Sequence, residues 1–311
     1  MNYKFEKNKL LKFLKQTIII SKLFLLFVFV VLFLLSSNIN VFCSEVILDS
    51  AAEDIVHYKD ITEKKVKVLP EFQYYKMAAI KDGEATLYEN NSWNKKDIIV
   101  CVNAGHGTFG GGNKWVYSHP DKSYRYSSPY QLSQERKSMA VSQGAQYRNG
   151  ITEASLNLKV SKFLKNLLLD AGYSVLMIRE DTDVRLDNIA RTILANEYAD
   201  IEVSIHFDST ENNKGMFYIS PFHHEDYLAK YNIKTTYERS EKLGDNIIKE
   251  CRGLGVKIFN KGIRRGDMTQ FAYASVPNVI VECGDGNTDM SNKNLNLMAE
   301  GIYYGIEKYF E

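Results

Sequence analysis

The sequence predicts an α/β fold: one domain with a mostly parallel twisted sheet flanked by helices on both faces. Two observations predict it. From Asp97 onward, short continuous apolar runs alternate with segments of helical period, the order that builds βαβ units. In addition, His106, His206 and Glu282 each end or follow one of those runs. Ligands of open α/β sheets gather at the carboxyl ends of the strands.

Taken in order, Asp97-Ile98-Ile99-Val100-Cys101-Val102 holds the unbroken apolar run expected of a strand buried on both faces. Over 153–170, Leu156, Val160, Phe163, Leu164 and Leu167 share one face at helical spacing, and Gly172 suits the helix stop. Ser174 to Ile178 reads as the next strand. A helix over 187–197 leads to a strand at Ile201 to Ile205, and Met216 to Ile219 is a further short strand. An amphipathic helix over 238–254 runs through Leu243, Ile247, Cys251 and Leu254. Val279 to Val281 is a strand again, and Leu295, Met298, Ile302 and Ile306 mark a closing helix.

The first 44 residues are of another kind. Lys4, Lys7, Lys9, Lys12, Lys15 and Lys22 make a basic start, and Leu23 to Leu35 is uninterruptedly apolar. Ser36, Ser37 and Asn38 follow. That is the order of a secretory signal peptide, and the apolar run falls short of the roughly 20 residues of a membrane span. An uncleaved membrane anchor that also uses Ile18 to Ile20 is the other reading, and both put the rest of the chain outside the cell membrane. Residues 45–96 are weakly patterned and read as a linker or accessory segment, the latter a small strand region. Ala51 to Val56 suits a helical turn, and His57 reads as a surface histidine.

The chain of 311 residues has a formal net charge of +1, with 25% charged and 45% hydrophobic residues. That balance gives no basic footprint for nucleic acid and no acidic run. The cysteines Cys43, Cys101, Cys251 and Cys283 form no disulfide framework. Cys101, Cys251 and Cys283 fall in apolar strand or helix positions and read as buried thiols.

His106 in Asn103-Ala104-Gly105-His106-Gly107, Glu153 in Gly150-Ile151-Thr152-Glu153, and His206 in Ser204-Ile205-His206-Phe207-Asp208 offer two imidazoles and a carboxylate. Such a set suits a catalytic zinc, which takes three protein ligands and keeps a fourth position open. Asp208 either orients a ligand or caps the next turn. Glu282 follows Val279-Ile280-Val281, where burial raises a carboxyl's proton affinity, so that it can carry protons; the structural alternative is a partner for Arg191 or Arg264. The Arg264-Arg265 pair either meets a substrate carboxylate or is solvated. His119 in Ser118-His119-Pro120-Asp121 and the pair His223-His224 lie in loop sequence, where exposure is the default. The insertion over 113–150 shows neither helical nor strand period. A loop of that length is functional or disordered, and its position between two candidate ligands points to a wall of a substrate groove.

These residues resemble the zinc-dependent N-acetylmuramoyl-L-alanine amidases of bacterial cell-wall turnover, clostridial-type relatives included. The resemblance runs from about Ile98 to the C-terminus. It includes Gly105-His106-Gly107, Glu153 opening a helix, Ala171-Gly172-Tyr173-Ser174-Val175, Arg179-Glu180-Asp181-Thr182-Asp183, and Arg191 with Ala195-Asn196. It continues through Ala199-Asp200 into Ser204-Ile205-His206, and from Pro277 to Val281-Glu282. Departures are Ala104 for the usual proline, Asp208 for an asparagine, Cys283-Gly284-Asp285 after Glu282, and the long separation between His106 and Glu153. The resemblance implies a zinc amidase catalytic domain over 97–311, with His106, Glu153 and His206 on one zinc ion per chain and Glu282 as the catalytic carboxylate. Asp208, Arg191 and Arg264 are then supporting or substrate-contacting candidates. It implies action on peptidoglycan; with the N-terminal segment, the expectation is a secreted, wall-associated monomer that touches membrane only if that segment is uncleaved. A zinc peptidase of stem peptides or cross-bridges uses the same ligand set, and a silent wall-binding protein is the reading outside enzymes.

Overall fold

Parallel pairing brings four apolar strands together at the centre of an eight-stranded sheet. The computed structural model describes residues 60–311 apart from 231 and 232; the expected signal segment, the helical turn at 51–56 and His57 lie outside the described residues. The strands are β1 (Ile61–Val66), β2 (Ala85–Asn90), β3 (Ile99–Ala104), β8 (Ser174–Met177), β9 (Ile201–Asp208), β10 (Met216–Pro221), β11 (Ile258–Gly266) and β12 (Asn278–Asp285), in the order β1-β2-β8-β3-β9-β12-β10-β11. The pairs β8–β3, β3–β9, β9–β12 and β10–β11 are parallel; β1–β2, β2–β8 and β10–β12 are antiparallel.

The alternation of strand side chains divides the core into two layers. Val100, Val102, Val203, Ile205, Val279 and Val281 point to one face. There they meet α1 (Glu153–Asp170), α4 (Ile233–Gly253) and α6 (Asn292–Phe310) through Leu164, Ile247 and Ile302. Cys101, Leu176 and Ile178 point to the other face, onto α2 (Asn188–Tyr198) through Ile189 and Ile193. The short helices α3 (Glu225–Leu228) and α5 (Thr269–Tyr273) complete the set. The fold class read from the sequence is the one observed. Helix α1 has the expected span, with Thr152 accepting the Ser155 amide as its N-cap. Cys101, Cys251 and Cys283 are free and buried, as read. No helix of the described residues is long and apolar enough to cross a membrane.

In two segments the structure goes further than the sequence reading. Within 45–96, β1 and β2 are strands of the main sheet, and Val66, Ala85 and Leu87 are buried in the second core layer. In β1, Thr62, Glu63, Lys64 and Lys65 are all exposed, so no alternation marks it as a strand. The insertion is not without strands. β4 (Trp115–Tyr117) pairs with β7 (Lys137–Met139), and β5 (Tyr126–Ser128) with β6 (Gln131–Leu132). Strands of two or three residues are too short to show a period of two.

His119 is the second correction to that region. Exposure was the default for a loop histidine, yet its side chain is fully buried. Its Nε2 lies 2.9 Å from Asp267 Oδ1, and its Nδ1 lies 2.9 Å from Ser123 Oγ. Asp267 also accepts from the Tyr126 amide at 2.7 Å and from the Tyr227 hydroxyl at 2.8 Å. Burial alone would raise the Asp267 carboxyl; these donors, led by His119, hold it below the usual carboxylate value instead. The insertion is thus locked onto the segment that follows β11.

Candidate active site

Because β3, β9 and β12 run parallel, their carboxyl ends share one rim. His106 leaves that rim two residues beyond β3, His206 sits within β9, and Glu282 within β12. Glu153 opens α1 beneath them. His106 Nε2 lies 2.7 Å from Glu153 Oε1, and His206 Nδ1 lies 3.0 Å from the same oxygen. Among the described residues this is the one group of three or more His, Cys, Asp or Glu side chains whose ligand atoms lie close enough to share an ion, all within 4.8 Å.

The chain beside His106 fixes its chemistry. Its Nδ1 donates to the Ser142 carbonyl at 2.8 Å. A neutral imidazole with that proton committed turns a lone pair from Nε2 toward the Glu153 carboxylate. Two acceptors facing each other at 2.7 Å call for a cation or a proton between them. The donor set, two imidazoles and one carboxylate on rigid elements, therefore fits a divalent metal such as zinc. Burial alone would raise the Glu153 carboxyl, but the two histidines hold it well below the usual carboxylate range. Burial pushes the His206 imidazole down. Both shifts favour the forms that bind metal.

Two buried arginines shape the loop that carries His106. Its backbone is left-handed, with φ of 62°, a costly geometry for a non-glycine residue. Arg191 donates to the His106 carbonyl at 2.5 Å and to the Ala104 carbonyl at 3.1 Å. Arg179 reaches the Gly105 and Ala154 carbonyls at 3.0 and 2.8 Å, tying the loop to the start of α1. Arg191 is therefore no partner of Glu282. Gly105 is required by close approach: a Cβ there would stand 2.3 Å from the His206 ring.

Sequence reasoning missed the contribution of the end of the insertion. Besides the Ser142 carbonyl on His106, the Ala145 amide donates to Glu153 Oε2 at 2.9 Å. Gly144, with φ of +79°, lies against both ligands; a Cβ there would stand 2.7 Å from His106 Cδ2 and 2.9 Å from Glu153 Oε2. The last residues of the insertion thus hold His106 and Glu153 in place. The one signal in the sequence was a glycine at 144 inside a stretch with no turn pattern around it.

Glu282 is the register partner of His206 in the β9–β12 pairing. Its Oε2 is buried with no hydrogen-bond partner. Burial, and then the charges of Glu153 and Asp208, push its carboxyl up to about 8. Asp208 does not touch the three clustered residues. Its Oδ1 caps the turn at the Thr210 amide, and its Oδ2 pairs with Lys214 at 2.5 Å. Arg264 is 3.8 Å from that same oxygen. His223 packs on the Tyr237 ring and His224 on the Tyr130 ring, apart from the cluster.

The sequence pattern of the N-acetylmuramoyl-L-alanine amidases matches residues 100–308, a span that contains all four site residues. The chain belongs to that amidase family. An endolysin of Bacillus phage SPP1 is 29% identical over 169 residues, which are 51% of this chain and 58% of the endolysin. The chain thus spans less than two thirds of that relative. Of solved structures, the amidase Ami1 of Mycobacterium smegmatis matches with a TM-score of 0.56 at 19% identity, over 70% of this chain and 98% of Ami1. Ami1 of Mycobacterium abscessus matches with a TM-score of 0.55 at 19% identity, over 69% and 99%. At these identities the likeness concerns the fold, which the amidase family chain shares with both.

Proposed function

We propose that this chain is a zinc-dependent amidase that hydrolyses the bond between the lactyl group of N-acetylmuramic acid and the L-alanine of the peptidoglycan stem peptide. The observation that carries the reading is the convergence of His106, Glu153 and His206 on one point, with Glu282 beside His206 on the next strand. Membership of the amidase family supports the bond.

His106 Nε2, Glu153 Oε1 and His206 Nδ1 would hold the zinc. Bound there, zinc supplies a Lewis acid for the scissile carbonyl and acidifies water toward neutral pH. The protein's own residues do the rest. Ser142 and Ala145 orient His106 and Glu153, and the Arg179 and Arg191 contacts keep the His106 loop in its costly conformation, so the site is formed before substrate arrives. Glu282 takes the proton of the attacking water on its carboxylate and delivers it to the alanine nitrogen as that nitrogen leaves. Burial, which raises the proton affinity of this carboxyl, suits both tasks. The basic and apolar sequence of residues 4–35 supports export, which would place the enzyme at the wall outside the membrane.

The test is release of new amino termini from purified peptidoglycan by the zinc-loaded protein. Release should stop on chelation and in His206→Ala. Undiminished release after chelation would refute the zinc reading, and no release by the loaded protein would refute the activity.

A further inference from the structure

His206, Glu282 and Phe217 stand side by side across β9, β12 and β10, each the register partner of the next. The row ends at β11, whose Arg264 reaches back over it. The Arg264 guanidinium carbon lies 5.4 Å from the centre of the Phe217 ring and 6.0 Å from that of Phe259. Its side chain is 54% exposed, and its approach to Asp208, at 3.8 Å, is too long for a hydrogen bond. Among the described residues nothing accepts a hydrogen bond from this guanidinium.

The neighbouring cations are committed. Arg265 bonds Glu241 at 2.5 Å, the Tyr237 hydroxyl at 3.2 Å and the Pro221 carbonyl at 3.2 Å. Lys214 is paired with Asp208 at 2.5 Å, only 14% exposed. An ordinary surface arginine has a mobile head in water. Arg264 instead has its planar head against two rings, one of them that of the register partner of Glu282, and is 54% exposed. A guanidinium so placed suits bidentate recognition of a carboxylate.

We propose that Arg264 is a specificity-determining residue that binds a free carboxylate on the peptide part of the substrate. The direction rests on the amidase reading above. Glu282 must reach the alanine nitrogen, so the peptide leaves along the flank of the site where Phe217 and Arg264 follow Glu282. The residue after L-alanine in the stem is acidic. Its carboxylate lies within about two residues of the nitrogen, roughly 7 Å of extended chain, and neighbouring strands are about 4.8 Å apart. That reach matches a side chain folded back over β10.

Binding of free peptide tests this without turnover. L-alanyl-D-glutamyl-L-lysine with its glutamyl carboxylate free, and the same peptide with that group as carboxamide, would be titrated calorimetrically into the full zinc-loaded chain and into Arg264→Gln. The wild type should prefer the carboxylate peptide by about tenfold or more, as a charge-assisted bidentate contact requires. Arg264→Gln should bind both peptides alike, and Arg264→Lys should recover only part of the preference, lacking the fork. Equal binding of both peptides by the wild type, or a preference that survives in Arg264→Gln, overturns the assignment. Failure of the amidase reading would look different: the peptide preference would be present while intact wall yields no alanine amino termini.

Discussion

Glu282 and His206 are register partners on adjacent parallel strands, and the Glu282 Oε2 atom lies buried without a hydrogen-bond partner. An orphaned buried carboxyl oxygen is unfavourable for stability, since a buried unsatisfied polar group typically costs about 1–3 kcal/mol. The placement makes sense for a group whose partner arrives with the substrate.

Glu282→Gln should therefore keep the fold and the zinc while turnover falls. The amide is nearly isosteric but cannot take a proton. General acid–base catalysis contributes roughly 10²–10⁴-fold, and the loss should reach at least the lower end of that range with little change in substrate affinity. Zinc content and turnover measured on the same preparations decide it. A variant that loses zinc makes Glu282 a ligand, and one with full activity returns it to a structural role.

Gly144→Ala should weaken metal binding without unfolding the protein. Its Cβ would press on His106 and Glu153 together, at a φ of +79°. Disturbing the groups that orient ligands typically costs about 10–100-fold in metal affinity. A competition titration against a chelator, with circular dichroism as the control on folding, measures it. Unchanged affinity would show that the end of the insertion does not hold the ligands.

His119→Ala should loosen the insertion from the body of the protein. The histidine and Asp267 form a buried pair, and removing one partner of such a pair costs about 3–5 kcal/mol. The midpoint of chemical denaturation should fall accordingly, and proteolysis should begin between β4 and β7. Zinc content should persist, because Ser142, Gly144 and Ala145 lie beyond the latch. A variant as stable as the wild type would reduce the pair to a neutral contact.

The parts of this protein legible in its sequence are those in which local pattern and burial coincide. The apolar run Ile99 to Val102 and the four-residue spacing of Leu156, Val160 and Leu164 each report a face packed against the core, and those elements lie where they were expected. That His106, His206 and Glu282 come together was legible because parallel strands deliver their carboxyl ends to one rim. What escaped was set by contacts distant in sequence. β11 reads as charged because it is an edge strand exposed along much of its length, with Lys261, Arg264 and Arg265 among its exposed residues. The burial of His119 depends on Asp267, 148 positions away. Arg191 was legible as a supporting candidate, but not what it supports: one of its hydrogen bonds goes to the Leu186 carbonyl and four go to oxygens of Asn103, Ala104, His106 and Thr108, which a linear pattern does not reveal.

The most direct test of the central claim is mass spectrometry of purified peptidoglycan digested by the zinc-loaded chain. Cleavage of the amide next to muramic acid predicts glycan fragments bearing a free lactyl carboxylate, and peptides that begin with L-alanine. Fragments that keep L-alanine on muramic acid, with new ends inside the stem peptide or the cross-bridge, would contradict the account and make the site that of a peptidase.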